Sequence, residues 1–171
     1  MNLIFNFWLL PILFMLHDFE EIIFVPSWVE KHAAFLKNMK NPLFGAAKNS
    51  SLFSIAVLEE FVILILVTII CFIENNYLLY LSFLIAYTLH FLIHFGTSFY
   101  FKFYSPGVIT ALLELPLLIW LILKYYKMCN PSLAGLLIYL IPTLIFVTLN
   151  LFITHKLITW FYRRTLFKNG N

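Results

Sequence analysis

The sequence predicts an all-α protein, a polytopic bundle of transmembrane helices with one short amphipathic helix at the membrane interface. Of its 171 residues, 63% are hydrophobic and only 11% are charged, whereas a soluble domain carries about 25% charged residues. Five apolar segments are each long enough to cross a bilayer, which takes about 20 helical residues. Residues 1–171 are therefore interpreted as a single integral membrane domain.

The five apolar segments define the predicted spans, and one long polar interval separates the first two. That interval, 26–51, begins at Pro26, and Ser27 and Glu30 within it have the spacing of a capping box. Apolar side chains then recur on one face, which predicts an interfacial amphipathic helix near 28–40. A structural connector is the favoured interpretation, and a lid over an opening is the alternative. The spans are predicted near 3–25, 52–73, 77–101, 107–124 and 133–155.

The distribution of Lys and Arg predicts the orientation of the chain. By alternation of spans, the loops at 26–51 and 102–106 share one side with the C-terminus and carry nine basic residues, against two on the other side. The positive-inside rule then predicts a multi-pass protein of the cell membrane with its N-terminus outside and its C-terminus in the cytoplasm. The N-terminus lacks the basic region and cleavage site of a signal peptide.

Other features of the composition exclude some classes of protein. The basic residues lie between apolar runs rather than in one patch, so no nucleic-acid partner is predicted. Two cysteines, Cys71 and Cys129, give neither a disulfide framework nor a metal-binding pair. The predicted partners are membrane lipids and a lipid-soluble small molecule.

Ionisable residues occur in every predicted span, and they share one depth. Each lies about eight residues, or roughly 12 Å of helix, from the cytoplasmic end of its own span. Unrelated polar substitutions would scatter in depth, so the common level predicts a shared site in the cytoplasmic leaflet. The residues that define this level are His17, Glu59, His94, Glu114 and His155.

Spacing along the helices predicts which of these side chains converge. His17, Glu20 and Glu21 are related by i, i+3 and i+4 and crowd one helical face, whereas Asp18 is predicted to point elsewhere, towards lipid headgroups. His90 and His94 have the i, i+4 spacing that lets two imidazoles reach one ion. Glu59 and Glu60 are about 100° apart on a helix, so only one faces the centre, and depth favours Glu59.

The carboxylates need a partner, because an acidic residue at mid-bilayer costs about 2.5–3.5 kcal/mol on insertion scales. No Lys or Arg lies beside them in the interior of the first four spans. Protonation, hydrogen bonds to histidine and a bound cation are the remaining ways to stabilise them. Histidines and glutamates at ligand spacing favour a metal site, whereas a lone histidine, such as His155, is as well explained by helix packing. The predicted metal ligands are His17, Glu20, Glu21, Glu59, His90, His94 and Glu114, and the catalytic candidates are Glu20 and Glu60.

Two blocks of the sequence resemble a known family. The segment HDFEE at 17–21, followed by PSWVE, is similar to the signature of the HXXEE membrane-protein family, and YSPGVITALLELP at 104–116 resembles its second block. The resemblance covers roughly residues 8–120. It implies a small multi-span protein of a mainly bacterial family without an assigned activity, and it points to His17, Glu20 and Glu21. Tyr104 and Ser105 are otherwise interpreted as loop ends.

Three classes of function are compatible with the pattern. The first is a membrane-embedded metalloenzyme with one or two iron, manganese or zinc ions, either an oxidoreductase or a hydrolase acting on a lipid-soluble substrate. The second is a proton or metal-ion transporter, although the outer halves of the spans carry few polar residues for a conduction path. The third is a structural membrane subunit in which the polar layer packs helices.

Overall fold

The computed structural model describes residues 6–37 and 50–166, without the side chains of residues 50–52, 155 and 158–166. Six helices and no strand occur in these ranges, which confirms the predicted all-α class. An α-helix pairs its backbone N–H and C=O groups within one segment. An apolar segment in hydrocarbon requires this, because no water is present to bond those groups. The helices are α1 (Leu9–Lys31), α2 (Ala33–Leu36), α3 (Ser50–Ile73), α4 (Tyr77–Phe101), α5 (Val108–Cys129) and α6 (Leu133–Leu166).

The boundary of the first helix differs from the prediction. The predicted span ended before Pro26, but α1 continues through this proline to Lys31. Trp28 packs near the rings of Phe101 and Phe103 and donates a hydrogen bond from Nε1 to the Tyr104 carbonyl oxygen at 2.6 Å. These tertiary contacts hold the extra turns of α1 against the end of α4.

The separate amphipathic helix predicted near 28–40 is wrong over the residues that the structure describes. Trp28 and Val29 are buried side chains of α1, and the following helix α2 has only four residues. Of the predicted apolar face, Trp28, Val29 and Leu36 are packed inside the protein, whereas Phe35 is exposed. The part of the prediction at 38–40 lies outside the described residues.

Four of the helices, α3 to α6, contain segments that are long and apolar enough to span a membrane, against the five predicted. The remaining long helix is α1, which has 23 residues but carries three carboxylates within four positions. Those carboxylates do not face outwards. The exposed stripe of α1 is apolar and recurs at helical spacing: Ile12, Leu16, Phe19 and Ile23.

The long helices form a closed ring. Going round it, α1 packs on α3, α3 on α6, α6 on α4, and α4 on α5, which returns to α1. Two apolar clusters close the interior of the ring at different levels. One includes Leu10, Tyr80 and Tyr125, and the other includes Val25, Trp28 and Phe101. His17, seven residues after Leu10 and eight before Val25, lies between them, so the polar residues are enclosed by hydrophobic packing on both sides.

Candidate metal site

Four side chains from two helices converge at the centre of the ring. His17 and Glu21 come from successive turns of α1, and His90 and His94 from successive turns of α4. One ligand atom from each lies within 4.8 Å of all the others, so the group could hold a metal ion. His17 is 1% exposed and His94 3% exposed. The spacings i, i+4 on both helices produce this convergence, as the sequence predicted for the two pairs.

The distances within this group suit a single small ion. From Nε2 of His94, the distance is 3.2 Å to Nε2 of His17, 2.9 Å to Nε2 of His90 and 3.3 Å to Oε1 of Glu21. In a tetrahedron with metal–ligand bonds of about 2.0–2.1 Å, neighbouring ligand atoms are roughly 3.3 Å apart. The three distances from Nε2 of His94 are therefore close to the separation that a tetrahedral ion requires, and all four ligand atoms lie within 4.8 Å of one another.

In neutral His94, Nε2 is the unprotonated ring nitrogen and has a free lone pair. Its Nδ1 lies 3.0 Å from the carbonyl oxygen of Pro106. A carbonyl only accepts, so Nδ1 must carry the proton, and in the neutral ring Nε2 does not. The Pro106 carbonyl thus orients the ring and directs the unprotonated nitrogen at the centre of the group.

A second hydrogen-bond chain does the same for His17. The Thr110 hydroxyl donates to Oε2 of Glu20 at 2.6 Å, so its oxygen accepts from Nδ1 of His17 at 2.9 Å. His17 then also presents an unprotonated Nε2 in its neutral form. Two lone pairs 3.2 Å apart cannot form a hydrogen bond with each other. A cation between them removes this conflict.

Glu20 occupies a different environment from its neighbour Glu21. Its carboxylate lies at the start of α5 and accepts from the backbone N–H groups of Thr110 at 2.7 Å and Ile109 at 3.4 Å. The Tyr104 hydroxyl also donates to it at 2.7 Å. Partial burial and this hydrogen bond raise the pKa of Tyr104, so the hydroxyl remains a donor at neutral pH. Donors at a helix N-terminus stabilise a carboxylate without any Lys or Arg. Glu20 therefore lies outside the group of four and contacts His17 through the Thr110 hydroxyl.

The connection from α4 to α5 fits tightly over this group because Gly107 permits it. Gly107 has φ +87°, and a Cβ at this position would lie 2.5 Å from the ring of His94 and 3.0 Å from Oε1 of Glu21. Only glycine combines this backbone conformation with such a close approach. Its neighbour Pro106 supplies the carbonyl that orients His94.

Two further predicted ligands lie outside the group of four. Glu59 accepts from Asn150 at 3.2 Å and from Thr154 at 3.0 Å, which joins α3 to α6. Glu114 is buried on α5 and accepts from the Tyr87 hydroxyl at 2.9 Å. The side chain of His155, the fifth residue of the predicted layer, lies outside the described residues.

A cavity of about 260 Å³ adjoins the group of four and is predominantly apolar. His17, Glu21, His90 and His94 form part of its wall, and Glu60 and Asp18 lie in the same wall. Of the two adjacent glutamates, Glu60 and not Glu59 thus faces the cavity. The prediction that Asp18 points towards headgroups is wrong, because this side chain is 6% exposed and borders the cavity. The reason is the ring topology, which surrounds α1 on more than one face.

Comparison with known proteins identifies a family. The family model described as a protein of unknown function with HXXEE motif matches residues 8–121. The chain belongs to the HXXEE family. Neither the curated proteins nor the solved structures include a match.

The geometry explains why the HXXEE signature has its spacing. Its histidine and last glutamate, His17 and Glu21, are one helical turn apart and face the centre. The middle glutamate, Glu20, points instead at α5 and orients His17 through Thr110.

Sequence reasoning missed the residues of the α4–α5 connection that complete the site. Tyr104 was interpreted as a loop end, and no role was assigned to Pro106, Gly107 or Thr110. All four contact or closely approach the motif residues or His94. The available signal was the second family block, where a Pro-Gly pair and a threonine precede an apolar helix.

Proposed function

We propose that the protein is a membrane-embedded metal-dependent hydrolase of a lipid-soluble substrate, with its metal held by His17, Glu21, His90 and His94. The observation that carries this proposal is the pair of unprotonated nitrogens from His17 and His94, 3.2 Å apart and each fixed by a partner on the far side of its ring. A cation would bind both of these buried lone pairs at once. Ligand histidines commonly have such a hydrogen-bonded partner on their other nitrogen.

A metal ion accounts for the geometry better than a proton. A proton on Nε2 of His94 is shared with one acceptor at a time, but three groups surround this atom at 2.9–3.3 Å. One metal ion would bond all four groups together. This argument favours a metal site over the proton-relay alternative.

The ligand set favours zinc and a single ion. Dinuclear iron or manganese sites in helix bundles use about four carboxylates and two histidines. Here three imidazoles and one carboxylate converge, while Glu20, Glu59 and Glu114 have other partners. Three histidines and a carboxylate suit zinc chemistry better than a carboxylate-rich oxygen-activating centre.

The residues around the cavity support hydrolysis of a lipid amide or ester. A divalent ion at the four ligands would supply a Lewis acid and activate water. Glu60 borders the same cavity and is the proposed acid–base group. In the reaction, water adds its oxygen to the acyl carbon, the bond to the leaving group breaks, and Glu60 carries a proton from the water to the leaving atom.

Elemental analysis of protein purified without added metal tests the site. We expect about one zinc per chain in the native protein, lost in the His17→Ala and His94→Ala variants. Glu59→Gln is the control and should retain zinc, because Glu59 contacts α6 rather than the four ligands. Folded native protein without any metal would overturn the proposal, and bound iron or manganese in place of zinc would contradict hydrolysis in favour of oxidation.

A second variant tests the reaction. Glu60→Gln should keep the zinc and the helical circular-dichroism spectrum but slow the hydrolysis of a lipid amide or ester about 100- to 10,000-fold, the usual contribution of a general acid–base group. The matched control is again Glu59→Gln, one residue away, which should hydrolyse at the native rate. Equal rates for native protein and Glu60→Gln would remove Glu60 from the mechanism.

A further inference from the structure

Asp18 is a buried carboxyl group that the metal site does not use. The residue is 6% exposed, and its Oδ2 has no hydrogen-bond partner among the residues that the structure describes. It borders the cavity beside the four ligands. A buried polar oxygen without a partner is costly, so such a group in a native protein calls for an explanation. A ligand that occupies the cavity and donates to this oxygen provides one.

Two further carboxyl groups, those of Glu21 and Glu60, border the cavity together with Asp18. None of the described residues that line the cavity is a Lys or Arg. If Glu21 is committed to the metal, Asp18 and Glu60 remain as a pair of carboxyl groups with no Lys or Arg beside them in the described part of the cavity wall. This end of the cavity therefore disfavours a carboxylate or phosphate headgroup and favours a cation with N–H donors.

The rest of the cavity has the chemistry of an aliphatic chain. Its wall includes Phe53, Val57, Leu64, Phe83 and Phe146. Phe146 and another wall residue, Ile93, are also exposed side chains. The apolar end of the cavity thus adjoins the surface that faces lipid in a membrane.

We propose that the cavity binds a single-chain amphiphile with a primary amine head, its ammonium group between Asp18 and Glu60 and its tail along the apolar wall. This inference rests on the proposed function in one respect: it makes the substrate an amide of a long-chain amine. In its hydrolysis, water supplies the hydroxyl to the acyl carbon, the C–N bond breaks, and the nitrogen leaves as the amine that the acidic pair binds. Binding of the amine itself does not require the metal.

The test measures binding of decylamine to the purified full-length protein in an uncharged detergent, by calorimetry and by the shift in thermal unfolding temperature. Decanol and decanoate have the same tail and serve as comparison ligands. We expect decylamine to bind and raise the unfolding temperature, and decanol to bind more weakly. Decanoate is compared in protein stripped of metal, where no metal ion is present to hold its carboxylate, and there we expect it not to bind. Asp18→Asn and Glu60→Gln should each weaken decylamine binding roughly ten- to a hundredfold, since each removes one charge-assisted hydrogen bond.

Two controls separate this site from structural and metal effects. Glu59→Gln should bind decylamine like the native protein, because this carboxylate contacts α6. Asp18→Asn without ligand should unfold at the native temperature or above it, since an amide of nearly the same size replaces a buried carboxyl group that lies close to other carboxyl groups. Protein stripped of metal with a chelator should still bind decylamine, and elemental analysis of the same sample reports the metal independently.

Three results would overturn the inference. Equal binding of decylamine, decanol and decanoate would show that the tail alone is recognised. Native affinity in both Asp18→Asn and Glu60→Gln would remove the acidic pair from the site. Loss of decylamine binding on metal removal would place the amine on the metal instead of between the carboxylates. None of these results bears on whether the four ligands hold zinc, so the proposed function fails or survives separately.

Discussion

At the scale of single residues, adjacent side chains of one helix have different tasks. Glu20 and Glu21 are neighbours in the sequence, yet Glu21 joins three histidines while Glu20 accepts four hydrogen bonds at the start of α5. The 100° rotation between successive helical residues separates them, because α5 lies on one side of α1 and the centre of the ring on the other. Glu59 and Glu60 diverge for the same reason.

Thr110 provides a residue-scale prediction. Its hydroxyl accepts from His17 and donates to Glu20, so it fixes which nitrogen of His17 is unprotonated. Thr110→Val removes both bonds with little change in shape and should weaken zinc binding about 10- to 100-fold, as found for partners of ligand histidines. Thr110→Ser keeps the hydroxyl and should restore most of the affinity. Competition with a zinc-binding dye measures both, and equal affinity in Thr110→Val and native protein would contradict the role.

At the scale of elements, the site depends on the short connection between α4 and α5 as much as on the helices. The connection contributes the Pro106 carbonyl and the Tyr104 hydroxyl, and it passes close to His94 at Gly107. A helix alone can bring together residues three or four apart. The connection adds contacts between α1, α4 and α5, and these fix the rotamers of the ligands.

Glycine substitutions provide an element-scale prediction. Gly107→Ala adds a Cβ 2.5 Å from the His94 ring at a residue with φ +87°, so the ring must shift or the connection must move. We expect a lower unfolding temperature and at least about a tenfold loss of zinc affinity. Gly96→Ala is the matched control, since a Cβ on this glycine of α4 meets nothing within 4 Å. Equal losses in the two variants would contradict the proposed close fit.

The first helix, α1, is long enough to span a membrane although its composition is less apolar than that of α3 to α6. By composition α1 falls outside the four segments that could span a membrane. Its carboxylates Asp18, Glu20 and Glu21, however, are buried, while its outward stripe of Ile12, Leu16, Phe19 and Ile23 is apolar. A helix of 23 residues is about 34 Å long, enough to cross the ~30 Å hydrocarbon core. We therefore propose α1 as the fifth span.

At the scale of the whole molecule, five spans place the two termini on opposite sides of the membrane, and four would place them on the same side. The proposed orientation puts the connection between α5 and α6 outside and the start of the polar interval 26–51 inside, in line with the positive-inside rule. Cys129 ends α5 near the outer connection, and Cys71 is buried within α3. These cysteines allow the orientation to be measured.

Labelling of intact cells with a membrane-impermeant maleimide tests this orientation. We expect native protein to be labelled at Cys129, and the signal to disappear in Cys129→Ser, since Cys71 is buried. A second variant, Lys37→Cys combined with Cys129→Ser, should be labelled only after the membrane is permeabilised, because Lys37 is exposed on the cytoplasmic side of the proposed topology. Labelling of Lys37→Cys in intact cells would reverse the orientation.

The long helices and the spacing of polar residues along them could be predicted from the sequence. The apolar runs indicated the long helices, with 77–101 matching α4 residue for residue. The helical spacings in α1 and α4 placed the four residues that meet within a predicted set of seven ligands. These results follow from helical periodicity and from the cost of charge in hydrocarbon, which act within one segment.

Which of the remaining carboxylates border the cavity depends on contacts between helices. Asp18 and Glu60 border the cavity, and Glu20 and Glu59 do not belong to the group of four, although all four residues have similar depth and type. Their roles depend on which helices flank α1 and α3 in the ring and on how closely the connection at Gly107 approaches His94. Such contacts join residues far apart in the chain, and helical periodicity within one segment carries no information about them.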